Sequence, residues 1–289
     1  MEKIIHTSGE LFDLMLNSFL QHQMEQAEAE TVAIIAELLN CNRVEAQVNR
    51  SRVLSGELFQ RGKEIIQRRL SNEPWQYIFQ RAYFRDLELK VTPSVLIPRP
   101  ETELLVDFCV EFLPEHGSLL DLGTGSGAIA LSVASERPDA RVTACDISLD
   151  ALAIARENAQ CIAPQQVEFL HSDLFSQLDG RRFDMIAANL PYVTESEHAG
   201  LSPEVRDFEP VLALTSGPDG LDLIRQSIIQ APEHLTPGGS MIWEMSPPQT
   251  AIAVELIRQD VRYCAVELLN DYTNRNRFVI ARLRGLNNY

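Results

Sequence analysis

The 289-residue chain predicts an α/β protein: a seven-stranded, mostly parallel sheet with helices on both faces, preceded by a small helical bundle. Three observations predict it. Residues 8–72 carry helical periodicity and almost no proline. From residue 101 onward, strand-like runs alternate with helix-like ones, the pattern of a parallel-rich sheet covered by helices. The last two strand-like runs are separated only by residues around 270–276, which suits an antiparallel hairpin better than a crossover.

In order along the chain, Leu11, Met15 and Phe19 recur at helical spacing, followed by Val32, Ile35 and Leu39. Val44 with Val48, Leu54 with Leu58, and Ile65 near Leu70 continue the pattern into four or five short helices. Thr7 or Ser8 is placed to cap the first helix, and Gly56 and Gly62 to punctuate later ones. The aromatic run from Glu73 to Phe79 reads as a linker into a β-hairpin, where Leu87 to Val91 alternate with period two. Pro93, Pro98 and Pro100 hold an extended segment, because each disfavours helix in the residue before it. Strands are expected at 118–122, 141–146, 166–171, 183–189, 240–245, 261–268 and 277–282, and helices near 101–113, 127–137, 149–160, 219–234 and 249–259. The expected division is 1–75 for the bundle, 76–98 for a hairpin linker and 99–289 for the sheet domain.

Composition narrows the function. Lys and Arg number 25 against 41 Asp and Glu, a net charge of −16. Residues 1–80 carry −3 of this and residues 81–289 carry −13. An overall basic nucleic-acid clamp is disfavoured, since phosphate binding relies on Lys and Arg displacing counterions. Five cysteines, at 41, 109, 145, 161 and 264, fall in no metal-ligand spacing and read as reduced structural thiols. The six histidines show no helical pairing, so a histidine metal site lacks support. The N-terminal residues lack the apolar core of a signal peptide, and no apolar run reaches membrane-spanning length. The cytoplasm is the expected compartment. Arg68-Arg69 and Arg181-Arg182 are expected to be solvated, and Trp75 and Trp243 to pack rather than bind a base.

The chemistry begins at Leu119-Leu-Asp-Leu-Gly-Thr-Gly-Ser-Gly-Ala128, an apolar strand running into a glycine loop and a helix. Gly123, Gly125 and Gly127, with Thr124 and Ser126 between them, let the backbone turn tightly and approach a ligand. Ligands in open α/β sheets bind at the carboxyl ends of strands, where this loop lies. The spacing also satisfies a dinucleotide fingerprint. Asp121 tips the balance, because a carboxylate there suits a cationic amine-bearing ligand such as S-adenosylmethionine better than a pyrophosphate. Asp146, ending the next strand, suits ribose hydroxyls, with a charge at a helix N-terminus as the lesser reading of the same residue. Asp173 can receive an adenine amino group with Leu174 flanking the ring, or act as a turn aspartate.

The fourth strand closes on Asn189-Leu190-Pro191-Tyr192. An amide or adenine NH2 is a weak nucleophile, and two acceptors that hold both its N–H bonds can aim its nitrogen at a methyl group. The Asn189 side-chain oxygen and the Leu190 carbonyl are those acceptors; Pro191 biases Leu190 towards extended geometry, and Tyr192 can stack on a planar substrate. This is catalysis by positioning.

With these motifs, the chain resembles the protein-(glutamine-N5) methyltransferases that modify peptide-chain release factors. The shared stretches are Glu73-Pro74 with Tyr77-Ile78, Val95 to Val106 with its Pro-Arg-Pro-Glu-Thr segment, Asp121 to Ala130, Glu204 to Pro210, Asp219 to Asp222, and Ala231-Pro232. The resemblance implies a Rossmann-like S-adenosylmethionine-dependent methyltransferase sheet. Gly123 to Gly127, Asp146 and Leu174 would line the cofactor site, Asn189 would bridge cofactor and substrate, and Asn189 to Tyr192 would form the glutamine pocket. Arg99, Glu101 and Thr102 would cap the pocket or order the cofactor. The helical part would dock the release factor, whose Gly-Gly-Gln loop enters the site; a monomer without membrane or nucleic-acid partners is expected. The chain departs from the family's Asn-Pro-Pro-Tyr at Leu190, from Asp-Leu-x-Gly-x-x-Arg at Asp271 to Arg277, and from Glu-x-Gly at Glu244 to Ser246. Asn-Leu-Pro-Tyr also resembles ribosomal-RNA adenine dimethyltransferases, which keeps adenine-N6 methylation of RNA or DNA as the alternative. A non-catalytic cofactor-binding protein is the third reading.

Overall fold

The computed structural model describes residues 5–162 and 167–286. The chain divides into two compact units, Met1–Gln80 and Arg81–Tyr289.

The first unit contains β1 (His6–Thr7), α1 (Ser8–Gln21), α2 (Ala27–Leu39), α3 (Arg43–Val48), β2 (Val53–Leu54), α4 (Gly56–Leu70) and α5 (Trp75–Phe79). Thr7 caps α1 in a reciprocal box: its hydroxyl accepts the Glu10 N–H at 3.2 Å, and the Glu10 carboxylate accepts the Thr7 N–H at 3.1 Å. Leu11, Met15, Phe19, Ile34, Ile35, Leu39, Leu54 and Ile65 make the core. Four details differ from the sequence reading. Gly62 does not punctuate a helix but lies inside α4, where a Cβ would stand 2.5 Å from Leu11 Cδ2; it permits close helix packing. Val44 and Val48 are 68% and 70% exposed, because the short α3 turns Ala46 inward instead. Residues 75–79 are helical rather than linker, with Trp75, Ile78 and Phe79 packed on the bundle core. Arg69 is buried against Glu30 rather than solvated.

The second unit opens with the hairpin β3 (Arg81–Phe84) and β4 (Leu87–Lys90). It continues through α6 (Thr102–Phe112), β5 (Ser118–Leu122), α7 (Ala128–Glu136), β6 (Arg141–Asp146), α8 (Leu149–Ile162), β7 (Val167–His171) and β8 (Phe183–Ala188). Then come α9 (Glu195–His198), α10 (Pro203–Phe208), α11 (Asp222–His234), β9 (Leu235–Glu244), α12 (Pro247–Gln259), β10 (Tyr263–Asn270) and β11 (Asn276–Leu283). Seven strands form one sheet in the order β10-β11-β9-β8-β5-β6-β7. Strands β7, β6, β5, β8 and β9 are parallel, while β11 and β10 are antiparallel additions at one edge. The expected strand start at Gln166 lies outside the described residues.

Alternate residues of β5 serve two cores. Leu119 packs with α6 and α7 through Leu105, Val106 and Leu131, while Leu120 packs with α11 and α12 through Ile224, Ile228 and Val254. Burial on both faces explains the near-continuous apolar strands. Strand order reverses between β5 and β8, so a crevice opens outside their carboxyl ends. Strand β9 begins at Leu235, earlier than expected; Thr-Pro-Gly-Gly reads as a turn, yet the Thr236 hydroxyl donates to Asp184 at 2.9 Å and holds the segment to β8. Trp243 is fully buried and its indole N–H donates to Ser227 at 2.8 Å. Among the described residues, no helix is long and apolar enough to cross a membrane.

Candidate active site

The glycine loop follows β5. Gly123, Gly125 and Gly127 have φ of +78°, +55° and +87°, a region L side chains rarely adopt. The loop is held from the next strand, since Gly123 and Thr124 N–H both donate to the Cys145 carbonyl at 2.9 Å. A Cβ at Gly123 would lie 3.1 Å from Leu190 Cδ2, whereas one at Gly125 would face open space.

Beneath the loop sits Asp121. It is fully buried, with Oδ2 accepting from the Thr124 hydroxyl at 2.6 Å and from Ala130 N–H at 3.1 Å, and with Oδ1 unpartnered. Burial pushes its carboxyl up to about 7 against the Thr124 and Ala130 hydrogen bonds. Asp146 at the end of β6 braces the same loop: Oδ2 accepts Gly125 N–H at 2.8 Å and Oδ1 accepts Ser148 N–H at 2.9 Å. Burial raises this carboxyl as well, with the backbone N–H groups opposing. Asn158 reaches in from α8, donating to the Ser126 and Lys90 carbonyls and accepting Lys90 N–H at 2.7 Å, so the hairpin and the loop share one amide.

These elements surround a cavity of about 420 Å³ at the crevice. Gly123, Thr124, Gly125, Ser126, Asp146, Asp173, Leu174, Asn189, Leu190 and Pro191 line it. Leu174 is buried with φ of +44°, its carbonyl accepting the Ser172 hydroxyl at 2.7 Å, while Asp173 is exposed at the rim. Asp121, Gly127 and Tyr192 stand outside the lining. Two further segments add to the wall. Residues 93–96, Pro98, Arg99 and Thr102 form one side, and Pro210, Leu212 and Ala213 the other. Glu209 joins them: Arg99 Nη2 donates to its Oε1 at 2.6 Å and Ile97 N–H to its Oε2 at 3.4 Å, with the Glu209 side chain 1% exposed. Burial raises the Glu209 carboxyl and Arg99 opposes this.

Asn189 through Tyr192 is anchored at each end. Asn189 Nδ2 donates to Thr102 Oγ1 at 3.0 Å. Leu190 is buried in the core that includes Leu122 and Leu174. The Tyr192 hydroxyl accepts from Arg277 Nη2 at 3.0 Å, and the guanidinium carbon stands 5.5 Å from the ring centre. Burial raises the Tyr192 phenol. Gln249 Nε2 donates to the Tyr192 carbonyl at 2.8 Å and to the Asp219 carbonyl at 3.1 Å. Tyr192 is thus held from behind, not aimed into the cavity.

Arg277, Glu244, Gln249 and Glu209 are the supporting residues that motif reading did not place. The departures near the C-terminus supply the signal in retrospect. Asn274 stands where the family pattern has glycine and adopts φ of +61°, which asparagine tolerates, so the β10–β11 turn survives and delivers Arg277. Ser246, in place of the other glycine, has φ of −67° and caps α12 in a box with Gln249. Among the described residues, no group of three or more His, Cys, Asp or Glu is arranged to hold a metal ion.

Comparison with known proteins agrees with this architecture. Residues 14–79 match the PrmC N-terminal domain and residues 100–202 the methyltransferase small domain. The release factor glutamine methyltransferase of Koribacter versatilis is 40% identical over 278 residues, covering 93% of this chain and 94% of its own. That of Gloeobacter violaceus is 43% identical over 210 residues, covering 72% and 73%. The T. thermophilus 16S rRNA N2 G1207 methyltransferase, solved in complex with AdoMet and guanosine, shares the fold with a TM-score of 0.53 at 21% identity. That match covers 71% of this chain and 50% of the other. On the extent and identity of these matches, the chain belongs to the release factor glutamine methyltransferase family.

Proposed function

We propose that this protein transfers a methyl group from S-adenosylmethionine to the side-chain amide nitrogen (N5) of the glutamine in the Gly-Gly-Gln motif of peptide-chain release factors. The observation that carries the reading is the orientation of Asn189: with Nδ2 held by Thr102, the oxygen Oδ1 is left to accept an N–H from a substrate at the cavity.

The cavity fits the cofactor. Its volume of about 420 Å³ lies in the range of small-molecule sites, and the space facing Gly125 leaves room for a ligand against the backbone. The Asp146 carboxylate retains lone pairs suited to ribose hydroxyls, Leu174 and Asp173 suit an adenine ring and its amino group, and Gly123 to Gly127 cradle the remainder. Asp121, with its free Oδ1 under the loop, adds in its ionised form negative potential favourable to a cationic ligand. The bound cofactor supplies an electrophilic methyl on a positively charged sulfur.

The chain's own residues then act by positioning. Asn189 Oδ1 and the Leu190 carbonyl accept the two amide N–H groups and turn the nitrogen towards the methyl. Pro191 keeps the Leu190 carbonyl in place. Arg277 and Gln249 hold Tyr192 at the far end. The helical unit docks the release factor, and the protein acts as a monomer in the cytoplasm. A basic protein substrate suits the −13 charge of residues 81–289. Adenine-N6 methylation of RNA or DNA is the second reading, favoured only by Leu190 in place of the family's proline. Labelled cofactor incubated with each release factor, with RNA and with DNA, followed by mass mapping, separates them. One methyl on the loop glutamine is expected; label on nucleic acid alone, or none on the factors, overturns the proposal.

A further inference from the structure

The cavity is not uniform in charge. Four of the described residues that line it are charged: Asp146, Asp150 and Asp173 are acids, and Arg99 is the one base. The sheet order separates them. Asp146 ends β6, Asp150 lies in the first turn of α8 and Asp173 follows β7, all on one side of β5. Arg99 belongs to the other side: its carbonyl accepts the Thr102 N–H at 3.1 Å, and the Thr102 hydroxyl accepts from Asn189, just beyond β8. The glycine loop after β5 lies between the two.

The Arg99 side chain is held in place. Pro98 and Pro100 flank it in sequence and narrow its backbone choices. Nη2 donates to Glu209 Oε1 at 2.6 Å, while Glu209 Oε2 accepts the Ile97 N–H at 3.4 Å, so both carboxylate oxygens are used as acceptors. The Arg99 side chain remains 30% exposed against 1% for Glu209. Among the described residues this is its one side-chain hydrogen bond, which leaves the other N–H groups of the fork for a ligand.

S-adenosylmethionine also varies in charge along its length. It carries a sulfonium, an ammonium and a single carboxylate, the last at its amino-acid end. With ribose at Asp146 and adenine at Asp173 and Leu174, the amino-acid end is the one left for the β8 side. The three acids only repel a carboxylate. A guanidinium matches its planar shape and gives charge-assisted hydrogen bonds.

We propose that Arg99 receives the carboxylate of the cofactor and so selects S-adenosylmethionine over analogues that lack that group. The inference rests on the reading of the cavity as the S-adenosylmethionine site. An Arg99 that served only as a strut between the two walls would, when removed, loosen the cavity for every ligand alike.

The test compares S-adenosylmethionine with its decarboxylated form, which keeps the adenosine, the sulfonium and the amine and lacks only the carboxylate. Binding of each to full-length wild type, R99M and R99Q is measured by calorimetry. Wild type is expected to bind S-adenosylmethionine about 10- to 100-fold more tightly than the decarboxylated form. R99M is expected to weaken S-adenosylmethionine by about that factor and to leave the decarboxylated form within about threefold of its wild-type Kd. The preference between the two ligands then collapses. R99Q, also uncharged, replaces R99M if that variant does not fold. Both ligands weakened by the same factor, or neither weakened, overturns the proposal. A wild type that binds the two forms within about twofold of each other also overturns it, and leaves the cofactor reading standing. A wild type that binds neither form overturns the cofactor reading and the proposal with it, so the two failures are told apart. Loss of methyl transfer to a release factor in R99M with both affinities unchanged places Arg99 on the substrate instead, and overturns the proposal as well.

Discussion

Replacing Gly220 with alanine should damage the site from outside the cavity. Gly220 has φ of +72°, and a Cβ there would collide with the Tyr192 carbonyl oxygen, lying 2.9 Å from its carbon and 2.5 Å from Gln249 Nε2. Three costs combine. Left-handed backbone costs a residue with a Cβ about 1–2 kcal/mol. Overpacking against fixed backbone adds about 1–3 kcal/mol. Displacing Gln249 from the Tyr192 and Asp219 carbonyls removes about 1 kcal/mol per hydrogen bond. Allowing for relief of one cost by another, the loss is about 4 kcal/mol, or about 8–16 °C in Tm for a unit the size of Arg81–Tyr289. Gly180→Ala is the control, because Gly180 has φ of +73° but no atom within 4 Å of a Cβ, leaving only the backbone cost. Calorimetric unfolding of both variants beside the wild type measures the difference. If the two lose the same stability, close packing of Gly220 under the Tyr192 carbonyl is not what holds that end of the segment.

Asn274→Gly should leave stability within about 0.5 kcal/mol and preserve turnover, whereas Asn274→Ala should cost about 1 kcal/mol, because φ of +61° rejects a simple Cβ; urea midpoints decide it. The Asp121 carboxyl, raised by burial to about 7, binds its proton more tightly folded than unfolded, where it titrates near 4. Its contribution to stability therefore falls as pH rises from about 4 to about 7. Asp121→Asn should flatten the urea midpoint against pH across that window, and an unchanged slope would contradict the assignment.

Much of the sheet unit was legible because its parallel strands are buried on both faces and bounded by loops rich in glycine or proline. The edges of β5 and β6 fall where the sequence places them, and the crevice follows from strand order. The bundle was less legible in detail. A six-residue helix such as α3 is shorter than two full turns, so Val44 and Val48 satisfy a spacing rule without reaching the core. The strands β1 and β2 have two residues each, too few to show any period. At the site, motif reading located the cavity wall but not what stands behind it. Asp121 and Tyr192 look like ligand contacts in a linear motif, yet each is turned to protein partners, Thr124 and Ala130 for one and Arg277 for the other. Arg277 is distant in sequence, Ala130 donates through its backbone, and Thr124 turns its hydroxyl back within the same motif, and periodicity carries no information about any of these. Arg277 was visible only as the last residue of a pattern with an asparagine in its glycine position. Left-handed asparagine makes the two equivalent.

The central claim is that Asn189 holds the accepting amide at a cofactor-loaded cavity, and Asn189→Ala tests it most directly. Wild type and variant are compared for cofactor Kd by calorimetry and for label transfer to the release-factor glutamine. The expected result is a Kd within about threefold and turnover reduced by about 10²- to 10³-fold. Turnover within about threefold of wild type, or label on nucleic acid instead of the glutamine, would contradict it.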